Sequence, residues 1–231
     1  MVNLTQRIDE AEIMDDFELP ASELDPLLKG LGNLNAWFGG HSMLIGALKQ
    51  FPVKPGNHIS DWGCGGGDAL KAIARWAQLN HLPLTFTGVD AAPAAIKFAQ
   101  TETAAYPNVS YLQSDVMSPE LQSQQFDIII SSLFTHHFGD DEWVTLVKNM
   151  YQSARRGIII TDLHRHWLLY YSIKFLAKYI IRNKMMQYDG PLSVKRSFKK
   201  HELQTLLAKA GITNYRLQWK WAFRWQLIIY K

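Results

Sequence analysis

Three groups of residues have the types and spacing that chemistry needs. The first is the run Asp61-Trp62-Gly63-Cys64-Gly65-Gly66-Gly67-Asp68. Glycines permit a left-handed backbone and let a ligand approach the main chain closely. Gly63 and Gly65 fit a dinucleotide fingerprint, G-x-G-x-x-G, but Asp68 stands where its third glycine belongs. A carboxylate there would face a pyrophosphate at a helix N-terminus, so a dinucleotide is disfavoured. Asp61 suits a cationic or amine-bearing ligand instead. Cys64 has no evident base beside it and reads as a spacer, not a nucleophile. The second group is the acids Asp90 and Asp115, each after an apolar run. The third is His136-His137 and His164-x-His166, with Asp162 just before the latter pair. Imidazoles titrate near pH 6.5, so His136 or His137 could contact or deprotonate an acceptor. A structural hydrogen bond beside a bound ligand is the competing reading. Four histidines at such scattered spacing do not predict a metal site, and none is expected.

These residues fall where strands alternate with helices. Residues 58–62 read as a strand that the glycine run joins to a helix over 67–79. Strands follow at 84–89, 109–112, 126–131 and 158–161, with helices at 93–103 and 140–154. Ile128-Ile129-Ile130 is a continuous apolar run of the kind found in buried parallel strands. The pattern predicts βαβ units and a parallel sheet. In such sheets ligands lie at the carboxyl ends of the strands, which is where all three groups fall. A helix over 200–210 precedes strands at 217–221 and 225–230. With no helix between them, these two form an antiparallel pair at the sheet edge. Residues 1–50 read as short helices, broken by Gly30, Gly32, Gly39 and Gly40. Aromatic residues Trp219, Trp221, Phe223 and Trp225 predict cross-strand packing or a dimer contact.

Composition narrows the class. The chain has 231 residues, 47% hydrophobic and 19% charged, which excludes a disordered chain. One cysteine excludes a disulfide framework and fits a reducing compartment. No uncharged apolar run reaches the length of a spanning helix, and the start lacks an export-signal pattern. A cytoplasmic protein, with membrane association left open, is expected. Charge is uneven. Residues 1–30 hold eight acids against Arg7 and Lys29, net −6, while residues 163–200 hold nine bases against Asp189, net +8. The basic block could attract nucleic acid, a membrane or an acidic substrate, stay solvated, or pair with the acidic N-terminus.

In order, these motifs resemble class I S-adenosylmethionine-dependent methyltransferases across most of the chain. Asp61-x-Gly63-x-Gly65-x-Gly67 looks like their first motif. The resemblance implies a Rossmann-like α/β fold: a seven-stranded, mostly parallel sheet with an antiparallel last strand and helices on both faces. It implies S-adenosyl-L-methionine as donor and S-adenosyl-L-homocysteine as product. It assigns Asp61, Gly63, Gly65, Gly67, Asp90, Ala91, Asp115, Val116, Ser131 and Ser132 to the donor. Asp90 would hold the ribose hydroxyls, and Asp115 with the Val116 amide the adenine. Residues 1–50 would form a helical arm or lid, and 51–231 the methyltransferase domain with an insertion at about 163–192.

A looser likeness points to ubiquinone/menaquinone-type and polyketide-associated small-molecule methyltransferases. It rests on Glu12-x-Met14-Asp15-Asp16, Asn35 with Gly39-Gly40, residues 132–138, Asp162-x-x-Arg165, residues 189–194 and Phe223-Arg224-Trp225. It implies methyl transfer to oxygen or carbon of a small lipophilic acceptor. His136 and His137 are then the catalytic candidates. Trp37, Phe38, His41, His164, His166 and Tyr170 are the acceptor-binding ones. The insertion carries Lys174, Lys178 and Arg182 four apart on an otherwise apolar helix. It reads as an active-site lid, a membrane-surface helix or a packing element. An RNA or protein methyltransferase, or a non-catalytic binding module, are the alternatives. No nucleic-acid module is evident, and a monomer or homodimer is expected.

Overall fold

A computed structural model describes residues 2–231. Seven strands form one sheet: β1 His58–Trp62, β2 Thr85–Asp90, β3 Val109–Gln113, β4 Phe126–Ser132, β5 Ala154–Leu163, β6 Tyr215–Lys220 and β7 Arg224–Tyr230. Their order is β3-β2-β1-β4-β5-β7-β6. The first five are parallel, and β7 runs antiparallel between β5 and β6. Nine α-helices accompany them among the described residues: α1 Ala21–Trp37, α2 Gly40–Leu48, α3 Asp68–Leu79, α4 Pro93–Glu102, α5 Pro119–Gln122, α6 Asp140–Ser153, α7 Trp167–Leu176, α8 Lys184–Arg196 and α9 Lys200–Lys209. The seven-stranded mixed sheet is the architecture the sequence predicts.

The sheet is buried on both faces, as its apolar runs require. Leu70, Ile73 and Ala77 of α3 pack with Ile59, Ile128 and Ile130 on one side. Trp143, Leu146 and Met150 of α6 pack with Ile129, Ile158 and Leu227 on the other. A third cluster joins the arm to the insertion: Leu24, Leu27 and Leu28 of α1 meet Ala177, Met185 and Met186. That cluster roofs the carboxyl ends of the strands. Register sets Asp61 beside Gly88 and Ile130, and Ser132 beside Thr161, so the strands end together beneath the roof.

Two local expectations are corrected. Gly30 and Gly32 do not break the arm, because α1 runs through both. A helical glycine costs about 1 kcal/mol against alanine. The Leu24, Leu27 and Leu28 stripe outweighs that, and a Cβ at Gly32 would sit 3.3 Å from the Cβ of Asp68. The break falls at Gly39, which is left-handed (φ 73°). The insertion is not one amphipathic helix either. After α7 the chain widens into a π turn at Ala177–Ile181 and reverses at Arg182 (φ 57°). Asn183 then starts α8, its Oδ1 accepting the Met186 N–H at 2.9 Å. No helix among the described residues is long and apolar enough to cross a membrane.

Candidate active site

A single cavity of about 640 Å³ lies between the strand ends and the roof. Its floor is the turn after β1. Gly63 is left-handed (φ 73°), as are Gly65 and Gly67. The turn folds back on β2: Gly63 and Cys64 donate backbone N–H bonds to the Val89 carbonyl at 2.8 and 3.0 Å. Asp90 closes it by accepting the Gly65 N–H at 2.8 Å and the Ala92 N–H at 3.0 Å. Each of its oxygens has one such bond, so lone pairs remain for a ligand. Beneath the turn, Asp61 is 1% exposed and its Oδ1 has no hydrogen-bond partner. Burial first, then the charges of Asp68 and Asp90, push its carboxyl well above the usual range. Burial likewise raises Asp90 and the Cys64 thiol. Asp68 is held low against its burial by His41, whose Nε2 lies 2.6 Å from its Oδ2, and by Asn35. Asn35 in turn accepts from the buried guanidinium of Arg224 at 2.6 Å. Three carboxylates crowded at one end of a cavity call for a positively charged occupant and repel an anionic one.

The opposite end is built from β4, β5 and the N-terminal segment. Asp162, at the end of β5, is fully buried and accepts four hydrogen bonds. Three come from Thr135 Oγ1 (2.7 Å), the His136 N–H (2.9 Å) and the Leu163 N–H (2.8 Å). The fourth joins its Oδ1 to Nδ1 of His136 at 2.6 Å. Against the upward pull of burial, the contact with His136 and the bonds from Thr135 and the Leu163 N–H hold the Asp162 carboxyl below the usual range. A proton on Nδ1 leaves the lone pair on Nε2. That Nε2 is buried without a hydrogen-bond partner, 3.7 Å from Oε1 of Glu12, which also has none. Burial raises the Glu12 carboxyl to about 7, although its Oε2 accepts from Ser193 at 2.8 Å. His137 repeats the design: its Nδ1 lies 2.5 Å from Oδ1 of Asp15. The His137 bond pulls Asp15 below its ordinary range despite burial.

Glu12 and Asp15 reach the cavity because the N-terminal segment is strapped down. Asp189 of α8 accepts the Ile13 and Met14 N–H groups at 2.8 and 3.1 Å. Arg196 donates to Asp15 at 2.7 Å and to the His137 carbonyl at 2.5 Å. Arg7 donates to Asp140 at 2.6 Å and to the Phe138 carbonyl at 2.8 Å. Arg165, fully buried, holds Ser197 and Glu202 and donates to the Leu4 carbonyl at 3.2 Å. Part of the basic block thus pairs with the acidic N-terminus. Lys174 and Lys178 stay outside this network.

Of the residues expected around the donor, Gly63, Gly65, Asp90, Ala91, Asp115, Val116 and Ser132 line the cavity. Asp61, Gly67 and Ser131 lie beneath or beside it, Ser131 Oγ donating to the Trp62 carbonyl at 2.8 Å. His136, His137 and Phe38 also line it. His41 reaches it only through Asp68. The remaining acceptor-binding candidates do not line the cavity. Trp37 is 71% exposed, because the last turn of α1 directs Leu34, Asn35 and Phe38 inward. His164 bridges to Phe198, and the rings of His164 and His166 stack on Phe223, a lining residue, without themselves lining the cavity. Tyr170 faces a separate open depression of about 520 Å³ beside the N-terminal segment. Glu12, Asp15 and Arg224 line the cavity with no role inferred for them from sequence. Asp162, which aligns His136, had none either. Two non-glycine residues at the rim, Leu133 and Phe223, hold left-handed φ of 54° and 53°, as strained positions at functional sites do.

Sheet order, glycine turn and strand-closing acids together match the Rossmann-like fold seen in methyltransferase structures. Residues 59–157 match a family described as Methyltransferase domain. An uncharacterized methyltransferase of Synechocystis sp., sll0829, is 25% identical over 127 residues, 53% of this chain and 56% of its own. A ubiquinone biosynthesis O-methyltransferase of Coxiella burnetii is 26% identical over 136 residues, 58% of this chain and 55% of its own. The chain thus matches about half the length of these curated relatives. A SAM-dependent methyltransferase of Aquifex aeolicus has the same fold, with a TM-score of 0.66 at 17% identity over 92% of this chain and 99% of that one. The plantazolicin methyltransferase BpumL, solved with SAH, aligns with a TM-score of 0.64 at 16% identity, covering 86% of this chain and 87% of its own.

Proposed function

We propose that this protein moves a methyl group from S-adenosylmethionine to oxygen or carbon of a small lipophilic acceptor. The observation that carries the reading is one cavity with two unlike ends. Asp61, Asp68 and Asp90 crowd the end floored by glycines, and two carboxylate-backed histidines face the other. The partnerless Oδ1 of Asp61 and the free lone pairs of Asp90 suit a donor with an ammonium group and a ribose diol. S-adenosylmethionine supplies a methyl group already activated on a sulfonium.

The protein's work is then alignment, which can supply several kcal/mol of the barrier. Leu28 and Leu31 of α1 and Ile173 and Leu176 of α7 give the cavity an apolar wall that suits a lipophilic acceptor. His136 and His137 meet its reacting end. Asp162 and Asp15 fix their orientation.

The test uses S-adenosylmethionine labelled in its methyl group, incubated with the protein and an extract of its source. Label in an organic-soluble fraction, lost in an Asp61→Ala Asp90→Ala variant, is the expected result. Label in RNA or protein would replace the acceptor class. Failure of wild-type protein to bind the donor in a direct titration would refute the reading.

A further inference from the structure

We propose that Glu12, His136 and His137 form a divalent-cation site at the acceptor end of the cavity. The proposal rests on the reading of that end as the place where the acceptor reacts. Its observations are separate from those that support the donor.

The three residues each bring one ligand atom into a group whose members all lie within 4.8 Å of one another. Nε2 of His136 and Oε1 of Glu12 are 3.7 Å apart. That is too long for a hydrogen bond between them. It is the separation of two atoms that each sit about 2.0–2.2 Å from a shared ion. Both atoms are buried and partnerless, on residues only 3% exposed. A buried polar atom without a partner is costly, and one cation satisfies both at once.

The histidines are prepared for this role. Each has its Nδ1 on a separate aspartate, His136 on Asp162 at 2.6 Å and His137 on Asp15 at 2.5 Å. That bond leaves Nε2 as the free nitrogen of each ring. Ligating histidines usually donate their second nitrogen to a carboxylate in this way, which fixes the ring and strengthens the ligand. The two aspartates are themselves anchored, Asp162 by Thr135 and two backbone N–H groups and Asp15 by Arg196. Two imidazoles and one carboxylate, with no thiolate, suit a first-row divalent ion such as Co²⁺, Zn²⁺ or Mn²⁺. Three protein ligands leave positions open for an oxygen of the acceptor. A hydroxyl bound there would lose its proton more readily than in water. The acceptor class is thereby narrowed to molecules that offer a hydroxyl oxygen.

The site also explains why the strap is so heavily tied. Glu12 is its one ligand from outside the β4 edge, and it is in place only while the N-terminal segment is closed on Asp189 and Arg196.

The experiment strips the full chain with a chelator and titrates it with Co²⁺, following visible absorption, and with Zn²⁺ by calorimetry. One equivalent bound is the expected result. Glu12→Gln, isosteric with the native residue, and His136→Ala should each weaken binding at least 10-fold. Asp162→Asn should weaken it about 10–100-fold through the His136 ring. No stoichiometric binding by the wild-type chain would overturn the proposal. So would binding that Glu12→Gln and His136→Ala leave unchanged, since an adventitious site would behave that way. Donor affinity is titrated separately on the metal-free chain. Loss of the metal result with donor binding intact overturns the cation site alone, and absent donor binding overturns the methyltransferase reading.

Discussion

Replacing Gly63 by alanine perturbs the floor of the cavity in two ways that can be separated. Gly63 has φ 73°, where a Cβ meets the following carbonyl oxygen. That costs about 1–2 kcal/mol in any L-residue other than glycine. The new Cβ would also stand 2.1 Å from Cγ of Phe134, inside its ring. Phe134 packs edge-on against Phe138, with ring centroids 5.2 Å apart, so it cannot swing away freely. Overpacking of this kind costs typically about 1–3 kcal/mol. Together the two effects predict a loss of about 2–5 kcal/mol. Gly211 supplies the control. It has φ 75° with nothing within 4 Å of its Cβ position, so Gly211→Ala should lose only the backbone share, about 1–2 kcal/mol. Urea denaturation of both variants measures the difference. If Gly63→Ala loses no more than Gly211→Ala, Phe134 is free to move and the rigid-floor argument fails. A displaced Phe134 would also narrow the cavity, so donor affinity should fall in Gly63→Ala and stay unchanged in Gly211→Ala.

Asp90→Asn should weaken S-adenosylmethionine binding about 10–100-fold by calorimetry, because bonds to a charged acceptor contribute about 1.5–3 kcal/mol; unchanged affinity would remove Asp90 from the donor site. Asp162→Asn should leave donor affinity intact but cut turnover about 10–100-fold, since the amide no longer holds His136 with its lone pair on Nε2. Equal losses in both quantities would point to general misfolding instead. His164 should make the fold acid-sensitive. Burial, then the charges of His166 and Arg165, lower its pKa from 6.5 to about 4. The unfolded chain therefore binds the proton first as pH falls, and stability drops between pH 6.5 and 4. Its partial exposure reduces the effect to about 1 kcal/mol. His164→Phe should flatten that part of the stability–pH curve in chemical denaturation, and an unchanged curve would acquit His164.

What could be read from sequence, and what could not, divides at the middle of the cavity. The donor end is local. Asp61, the glycine turn and Asp90 lie at strand ends that periodicity locates, and their residue types match the backbone they occupy. The sheet is legible for the same reason, since Ile128–Ile130 and Ile158–Ile160 can only be buried strands. The acceptor end is not local. His137 and Asp15 are 122 residues apart, and no periodicity connects them. Strand 158–161 stops one residue short of Asp162, and nothing in the spacing links that carboxylate to His136, 26 residues earlier. Trp37, His164, His166 and Tyr170 were plausible because each falls near a strand end or in the arm. Helix phase turns Trp37 and Tyr170 elsewhere, and His164 and His166 touch the lining residue Phe223 without lining the cavity themselves. One signal did point the right way. A segment of net −6 and a block of net +8 attract each other, and Asp15–Arg196 is where they meet. Glu12, three residues before Asp15, reaches His136 only because that attraction closes the strap. In this chain, charge imbalance between distant segments marks the missing half of the site better than any motif within it.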